Sequence, residues 1–158
     1  FEFVPGAIDA MRRLKKAGYA LVVVTNQSGI ARGYYSEAQY QALTAAMKQA
    51  LADAGAAVDA VYHCPHHPKG QLAELAIDCD CRKPAPGMIL RAAKDLNLSL
   101  ADSILVGDKP SDIEAARAAG VGRTYIVQSD NAESETGLVG ADAAYADLQS
   151  CVAALLPD

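Results

Sequence analysis

Positive charge is not in excess in this 158-residue chain. Fourteen Lys and Arg stand against 19 Asp and Glu, a formal net charge of -5. That excludes the broad basic footprint of a nucleic-acid-binding domain and the polybasic patch of a membrane-surface protein. An anionic ligand has to be gripped by a local cluster of donors. Long apolar runs are missing too, and none approaches the roughly 20 residues of a membrane span. The opening residues Phe1 to Gly6 lack the basic stretch followed by an apolar one that marks a signal peptide. They lack an initiator Met as well, so the chain is expected to begin partway into a gene product. Repeats, low-complexity tracts and an interdomain linker are absent. What remains is 51% apolar, enough for one compact domain with a sizeable core.

Short β-branched runs alternate with helical patterns. Ile8, Met11 and Leu14 define one face of a helix over 7–17, stopped by Gly18. Tyr19 to Val24 reads as a strand buried on both faces of a parallel sheet. Ser36 with Gln39 predicts a capping box at the head of a helix reaching about Ala54. Further strands are expected at 58–62, 104–106 and 125–127. Further helices are expected at 87–96, from Ser111 or Asp112 to Gly120, and at 147–155. This order predicts an α/β fold, a Rossmann-like and mainly parallel sheet flanked by helices. Ligands of such sheets sit beyond the C-terminal strand ends, where Thr25, His63, Cys64 and Asp108 fall.

Four groups of residues carry candidate chemistry. Thr25-Asn26-Gln27-Ser28-Gly29 follows a strand directly, and a hydroxyl with free N–H groups in a tight turn suits phosphoryl oxygens. Arg82-Lys83-Pro84 puts two cations at the sheet edge, although a solvated basic pair reads the same way. Gly107-Asp108-Lys109-Pro110-Ser111-Asp112 offers two carboxylates, which suit Mg²⁺; Asp112 alternatively caps a helix. Cys64, His66, Cys79 and Cys81 form the fourth group. Three thiolates and an imidazole satisfy a closed tetrahedral Zn²⁺ site, with a loop of about 63–84 wrapped around it. With no export signal, metal ligation in a reducing cytoplasm is preferred to disulfides. His63 and His67 read as loop residues, and Cys151 as a core thiol.

A strand-end Thr, then a Lys, then a strand-end Gly-Asp with a second Asp four residues on resembles motifs two to four of the haloacid dehalogenase superfamily. The segments VVVTNQSGIAR, CPHHP, CDCRKP and GDKPSD together resemble the heptose bisphosphate phosphatases within it. Histidinol-phosphate phosphatases are similar and carry a related zinc loop. The resemblance implies the haloacid dehalogenase fold without a large cap domain, and Mg²⁺-dependent hydrolysis through a phosphoaspartyl intermediate. It assigns the transferred phosphoryl group to Thr25, charge neutralisation to Lys83 and Mg²⁺ to Asp108. It makes Asn26, Gln27, Arg82 and Lys109 the substrate contacts.

The family's first motif, Asp-x-Asp-Gly-Thr at a strand end, has no counterpart before Thr25. A central strand cannot be dropped without exposing two sheet edges. The chain is therefore expected to lack the strand that carries the nucleophile. The expected partner is a small phosphorylated sugar, with neither nucleic acid nor membrane, and the expected state is a monomer. Two alternatives stand beside this reading: histidinol phosphate as substrate, or a zinc-stabilised binding module without catalysis.

Overall fold

Ile8, Met11 and Leu14 of helix α1 (Ala7–Lys16) pack against Leu21, Leu51 and Val58, as their spacing requires. The structure is a computed structural model that describes residues 5–128 and 140–156. Strand β1 (Val22–Asn26) follows, then helix α2 (Glu37–Asp53). The Ser36 hydroxyl accepts the Gln39 N–H at 3.0 Å, and the Ser36 N–H donates to Gln39 Oε1 at 2.7 Å. The expected capping box thus satisfies two otherwise orphaned donors.

Strand β2 (Ala60–Cys64) pairs in parallel with β1, setting Thr25 opposite His63 and Asn26 opposite Cys64. After an irregular stretch come α3 (Gly87–Asp95), β3 (Ile104–Gly107), α4 (Pro110–Ala119), β4 (Arg123–Val127), β5 (Ala143–Tyr145) and α5 (Leu148–Leu155). Strands β3, β4 and β5 make a second parallel sheet in that order. Among the described residues β1 is bonded only to β2, and β3 only to β4. One core nevertheless spans both sheets. Val24 of β1 and Leu105 of β3 pack on the same cluster of Ile89, Ala115, Ala116, Ala119 and Val121. The alanine face of α4, with Ala115 and Ala116 fully buried, allows that close approach.

The element boundaries depart from the sequence reading where tertiary bonds intervene. β1 starts at Val22, not Tyr19. Leu21 is held by Asp59 instead, which accepts its N–H at 2.7 Å and donates its own N–H to the Leu21 carbonyl at 2.7 Å. His63 and Cys64 lie within β2, not after it. α4 begins at Pro110, so Asp112 is its third residue and not its cap. β5 was not expected, since Ala-Ala-Tyr is short and has no β-branched residue, and pairing with β4 makes it a strand.

Asp59 is half-exposed, and Lys15 Nζ donates to it at 3.1 Å. Burial acts to raise its pKa, but the Leu21 N–H and Lys15 outweigh that and hold it low. Asp59→Ala should cost about 1 kcal/mol in chemical denaturation at pH 7. A carboxyl whose folded pKa lies below its unfolded value, about 3.9, stabilises above that value and ceases to as pH falls through the folded one. The gap between wild type and variant should therefore narrow as pH drops below that value. A gap that widens in acid would contradict the sign.

Candidate active site and metal centre

Lys83 sits at the junction of the two sheets with 11% of its side chain exposed. A buried ammonium needs acceptors, and two are in place. Nζ donates to the Val24 carbonyl of β1 at 3.2 Å and to Asp112 Oδ1 of α4. An ammonium has three donors, so one remains for a ligand. The Lys83 backbone is gripped as well. Its N–H donates to Asn26 Oδ1 at 3.0 Å, and its carbonyl accepts from Asn26 Nδ2 at 3.2 Å. Asn26 therefore sets where the Lys83 side chain starts, and Val24 and Asp112 set where it ends.

Asp112 is 6% exposed. Its Oδ2 accepts the N–H groups of Asp108 and Lys109, both at 3.1 Å. This shapes the turn between β3 and α4 and leaves Asp108 and Lys109 exposed at the strand end. Gly107 makes room for it: a Cβ there would stand 2.4 Å from Asp112 Cβ. On the opposite side, Gln27 Nε2 donates to Thr25 Oγ1 at 3.0 Å, and the Tyr35 hydroxyl donates to Gln27 Oε1. The result is a strand-end recess with a hydroxyl, a buried ammonium and an exposed carboxylate, a set that suits a phosphoryl group.

Cys64, His66, Cys79 and Cys81 converge, with all four candidate ligand atoms within 4.8 Å of one another. Cys64 to Cys79 is 3.5 Å, Cys79 to Cys81 is 3.4 Å, and Cys64 to Cys81 is 2.8 Å. His66 Nδ1 lies 3.5 Å from Cys64 and 3.4 Å from Cys81. Burial and hydrogen bonding push the Cys64 thiol well up, and burial raises Cys81. Burial also acts to raise Cys79, but hydrogen bonds from Cys64 and Cys81 bring it below the ordinary value. The cluster is tied to the recess. The Gln27 N–H donates to the Cys64 carbonyl at 2.7 Å, and Cys81 belongs to the same turn as Arg82 and Lys83. Gly87 docks that turn on α3, its N–H donating to the Asp80 carbonyl at 2.7 Å where a Cβ would lie 2.2 Å from that oxygen.

The expected residues Thr25, Asn26, Gln27, Lys83, Asp108 and Lys109 thus fall at one edge, with Arg82 beside them. Asp112 accepts from three donors, Lys83 Nζ and the N–H groups of Asp108 and Lys109. His67 lies in a loop, as expected, where it is 9% exposed and contacts Arg32 Nη2 at 2.8 Å. His63 bonds Glu37 at 2.8 Å and stacks on Tyr40. Cys151 is buried, as expected of a core thiol, and burial raises its pKa to about 11. The sequence reading missed Tyr35 and the Val24 carbonyl as parts of the site, and neither carries a local signal.

A sequence profile described as HAD-hydrolase-like matches residues 80–150. The chain is 50% identical over 155 residues to the D-glycero-beta-D-manno-heptose-1,7-bisphosphate 7-phosphatase of Salmonella typhi, covering 96% of this chain and 82% of that protein. It is 55% identical over 129 residues to the Escherichia coli K12 protein of the same name, covering 82% and 68%. The structure resembles a D,D-heptose 1,7-bisphosphate phosphatase from B. bronchiseptica crystallised with magnesium and phosphate. The TM-score is 0.80 at 35% identity, over 96% of this chain and 82% of that one.

Removing Asp112 should leave the buried Lys83 ammonium without a counter-charge, held only by the Val24 carbonyl, and two backbone donors unpartnered. Asp112→Ala is expected to cost about 3 kcal/mol in urea unfolding. Asp108→Ala, at an exposed position, should stay within about 0.5 kcal/mol of wild type. Equal losses for the two would overturn the division of labour between these carboxylates.

Proposed function

The chain belongs to the family of D-glycero-beta-D-manno-heptose-1,7-bisphosphate 7-phosphatases, and from that premise we propose that the protein removes the C7 phosphate of a heptose 1,7-bisphosphate to leave the 1-phosphate. The observation that carries this reading is the buried Lys83 ammonium, held with one donor to spare between the Thr25 strand end and the Asp108 turn. Thr25 and the free Lys83 proton bind oxygens of the transferred phosphoryl group. Asn26 positions Lys83, Gln27 orients the Thr25 hydroxyl, and Arg82 and Lys109 are cations available to the rest of the substrate.

The nucleophile is an aspartate on a further strand that lies between β1 and β3. Two observations support this. β1 and β3 share a core but, among the described residues, each is paired on one side only. Neither described carboxylate of the recess suits attack, since Asp112 is enclosed by donors and Asp108 is the one left for a cation. The aspartate oxygen bonds to phosphorus as the bond from phosphorus to the C7 oxygen breaks. That oxygen leaves with a proton, and water then hydrolyses the acyl phosphate to release inorganic phosphate. Together with this strand the described elements make a single phosphatase domain.

Mg²⁺ fits the remaining donors. Asp108 is an exposed carboxylate at the strand end, and Mg²⁺ is commonly held by one or two carboxylates plus substrate phosphate. When bound it polarises the phosphoryl oxygens and offsets their charge. Zn²⁺ would fit the cysteine cluster, because three thiols and an imidazole within 4.8 Å of one another are its preferred donor set. With four protein ligands the site has no open position, so its role is to anchor the turn bearing Arg82 and Lys83. Among the described residues no helix is long and apolar enough to cross a membrane. Reduced metal-binding thiols and a phosphorylated sugar suit the cytoplasm.

The test is steady-state kinetics of the full-length protein with Mg²⁺. Heptose 1,7-bisphosphate should be the preferred substrate over histidinol phosphate, and Asp108→Asn should abolish Mg²⁺-dependent turnover. Preference for histidinol phosphate would replace the substrate assignment, and full activity in Asp108→Asn would remove the Mg²⁺ role.

Elemental analysis should find one zinc per chain, lost in Cys79→Ser. Zinc-free protein should show a lower kcat and a higher KM with an unchanged far-UV circular dichroism spectrum. Structural zinc can supply on the order of 10 kcal/mol, enough to order a loop with little apolar content. Unaltered kinetics in zinc-free protein would break the link between the cluster and the recess.

A further inference from the structure

A hydroxyl has a single proton, so the donor it accepts from decides where that proton can go. Thr25 Oγ1 accepts from Gln27 Nε2 at 3.0 Å. Among the described residues, the acceptor facing its own proton is the Asn26 carbonyl at 3.5 Å, too far to hold it well. The Thr25 proton is therefore left for a ligand at the strand end. This lasts only while the Gln27 amide turns its NH₂ group to Thr25. Reversed, its oxygen would face Thr25 and take that proton.

Tyr35 sets which way the amide lies. Its hydroxyl donates to Gln27 Oε1. Burial, and after it the nearby Tyr40, raises the Tyr35 pKa, so the group keeps its proton and stays a donor. With the amide reversed, Nε2 would face the Tyr35 oxygen. The Tyr35 proton would then lose the one acceptor it has among the described residues.

The frame around these groups is fixed. The Gln27 N–H is held by the Cys64 carbonyl of β2 at 2.7 Å. The loop then closes on itself, with the Ile30, Arg32 and Tyr34 N–H groups donating to the Gln27, Ser28 and Gly29 carbonyls at 3.1, 3.0 and 2.9 Å. Ile30 and Ala31 are buried. The turn brings the Tyr35 ring against Gly29, where a Cβ would stand 2.3 Å from ring carbon Cε1. Tyr35 also precedes Ser36, the cap of α2, and Tyr40 is the fourth residue of that helix. Those are the two positions of a hydrophobic staple, which fixes how a chain enters its helix. Tyr40 is buried and stacks on His63 of β2, so the helix start is anchored to the sheet.

We propose that Tyr35 is a positioning residue for phosphoryl transfer: through the Gln27 amide it keeps the Thr25 proton directed at the transferred phosphoryl group. This deepens the function proposed above and rests on it. A donor already aimed at the phosphoryl oxygens needs no reorganisation as the reaction proceeds. Loss of that aim should therefore appear in kcat more than in KM.

The experiment is a double-mutant cycle on the full-length enzyme with heptose 1,7-bisphosphate and Mg²⁺. Tyr35→Phe keeps the ring and deletes the hydroxyl. Its kcat should fall about fivefold, the rate equivalent of one neutral hydrogen bond, with KM nearly unchanged. In a Gln27→Leu background, where no amide remains to be turned, Tyr35→Phe should lower kcat no further. A wild-type kcat in Tyr35→Phe would overturn the proposal. So would the same fivefold loss on top of Gln27→Leu, because Tyr35 would then act by another route. A rise in KM alone would overturn it too, since the tyrosine would be shaping binding and not aiming the proton. A wild-type enzyme that turns over no heptose bisphosphate would instead remove the function reading, and this role with it.

Discussion

A buried ammonium cannot stand alone in a protein interior, and the arrangement around Lys83 follows from that constraint. Its acceptors come from the two separate sheets: the Val24 carbonyl from β1 and, through α4, the Asp112 carboxylate beside the end of β3. The Lys83 peptide is fixed in turn by both arms of Asn26. One cation thus pins three segments that are distant in sequence. Asp112 is drawn inward to meet it, and that shapes the turn that leaves Asp108 facing outward. The charge proposed to meet the phosphoryl group is thus the same charge that joins the two sheets.

The segment after β2 has few apolar side chains, so burial alone gives it little order. It is held by directional contacts instead. The cysteine and histidine cluster closes its two ends together, the Gly87 N–H fastens it to α3, and Leu72 and Gly70 fasten its tip to the loop after β1. The first of these lies beside a residue proposed to contact substrate, Cys81 next to Arg82.

The local parts of the site were legible because each has a local cause. A hydroxyl after a buried strand, a Gly-Asp turn after another, and thiols spaced around a histidine all read directly from neighbouring residues. The capping box of α2 did as well. Less legible were the features whose cause lies elsewhere in the chain. β1 begins late because Asp59 takes the backbone of Leu21. Asp112 reads as a helix cap or a metal ligand until Lys83 is seen against it. His67 reads as an ordinary loop residue until Arg32 is brought to its ring.

By itself, the sequence determined the α/β order of elements, the family resemblance and the four members of the cysteine cluster, because period, turn chemistry and ligand spacing act over a few residues. Only the tertiary structure decided that the described strands form two parallel sheets sharing a core. It also decided that one of two neighbouring carboxylates pairs with a buried lysine while the other stays exposed, and that Arg32 and the Lys69 N–H meet the two nitrogens of the His67 ring. These depend on which groups meet after the chain has closed on itself, where desolvation makes an unpaired charge costly and so chooses its partners.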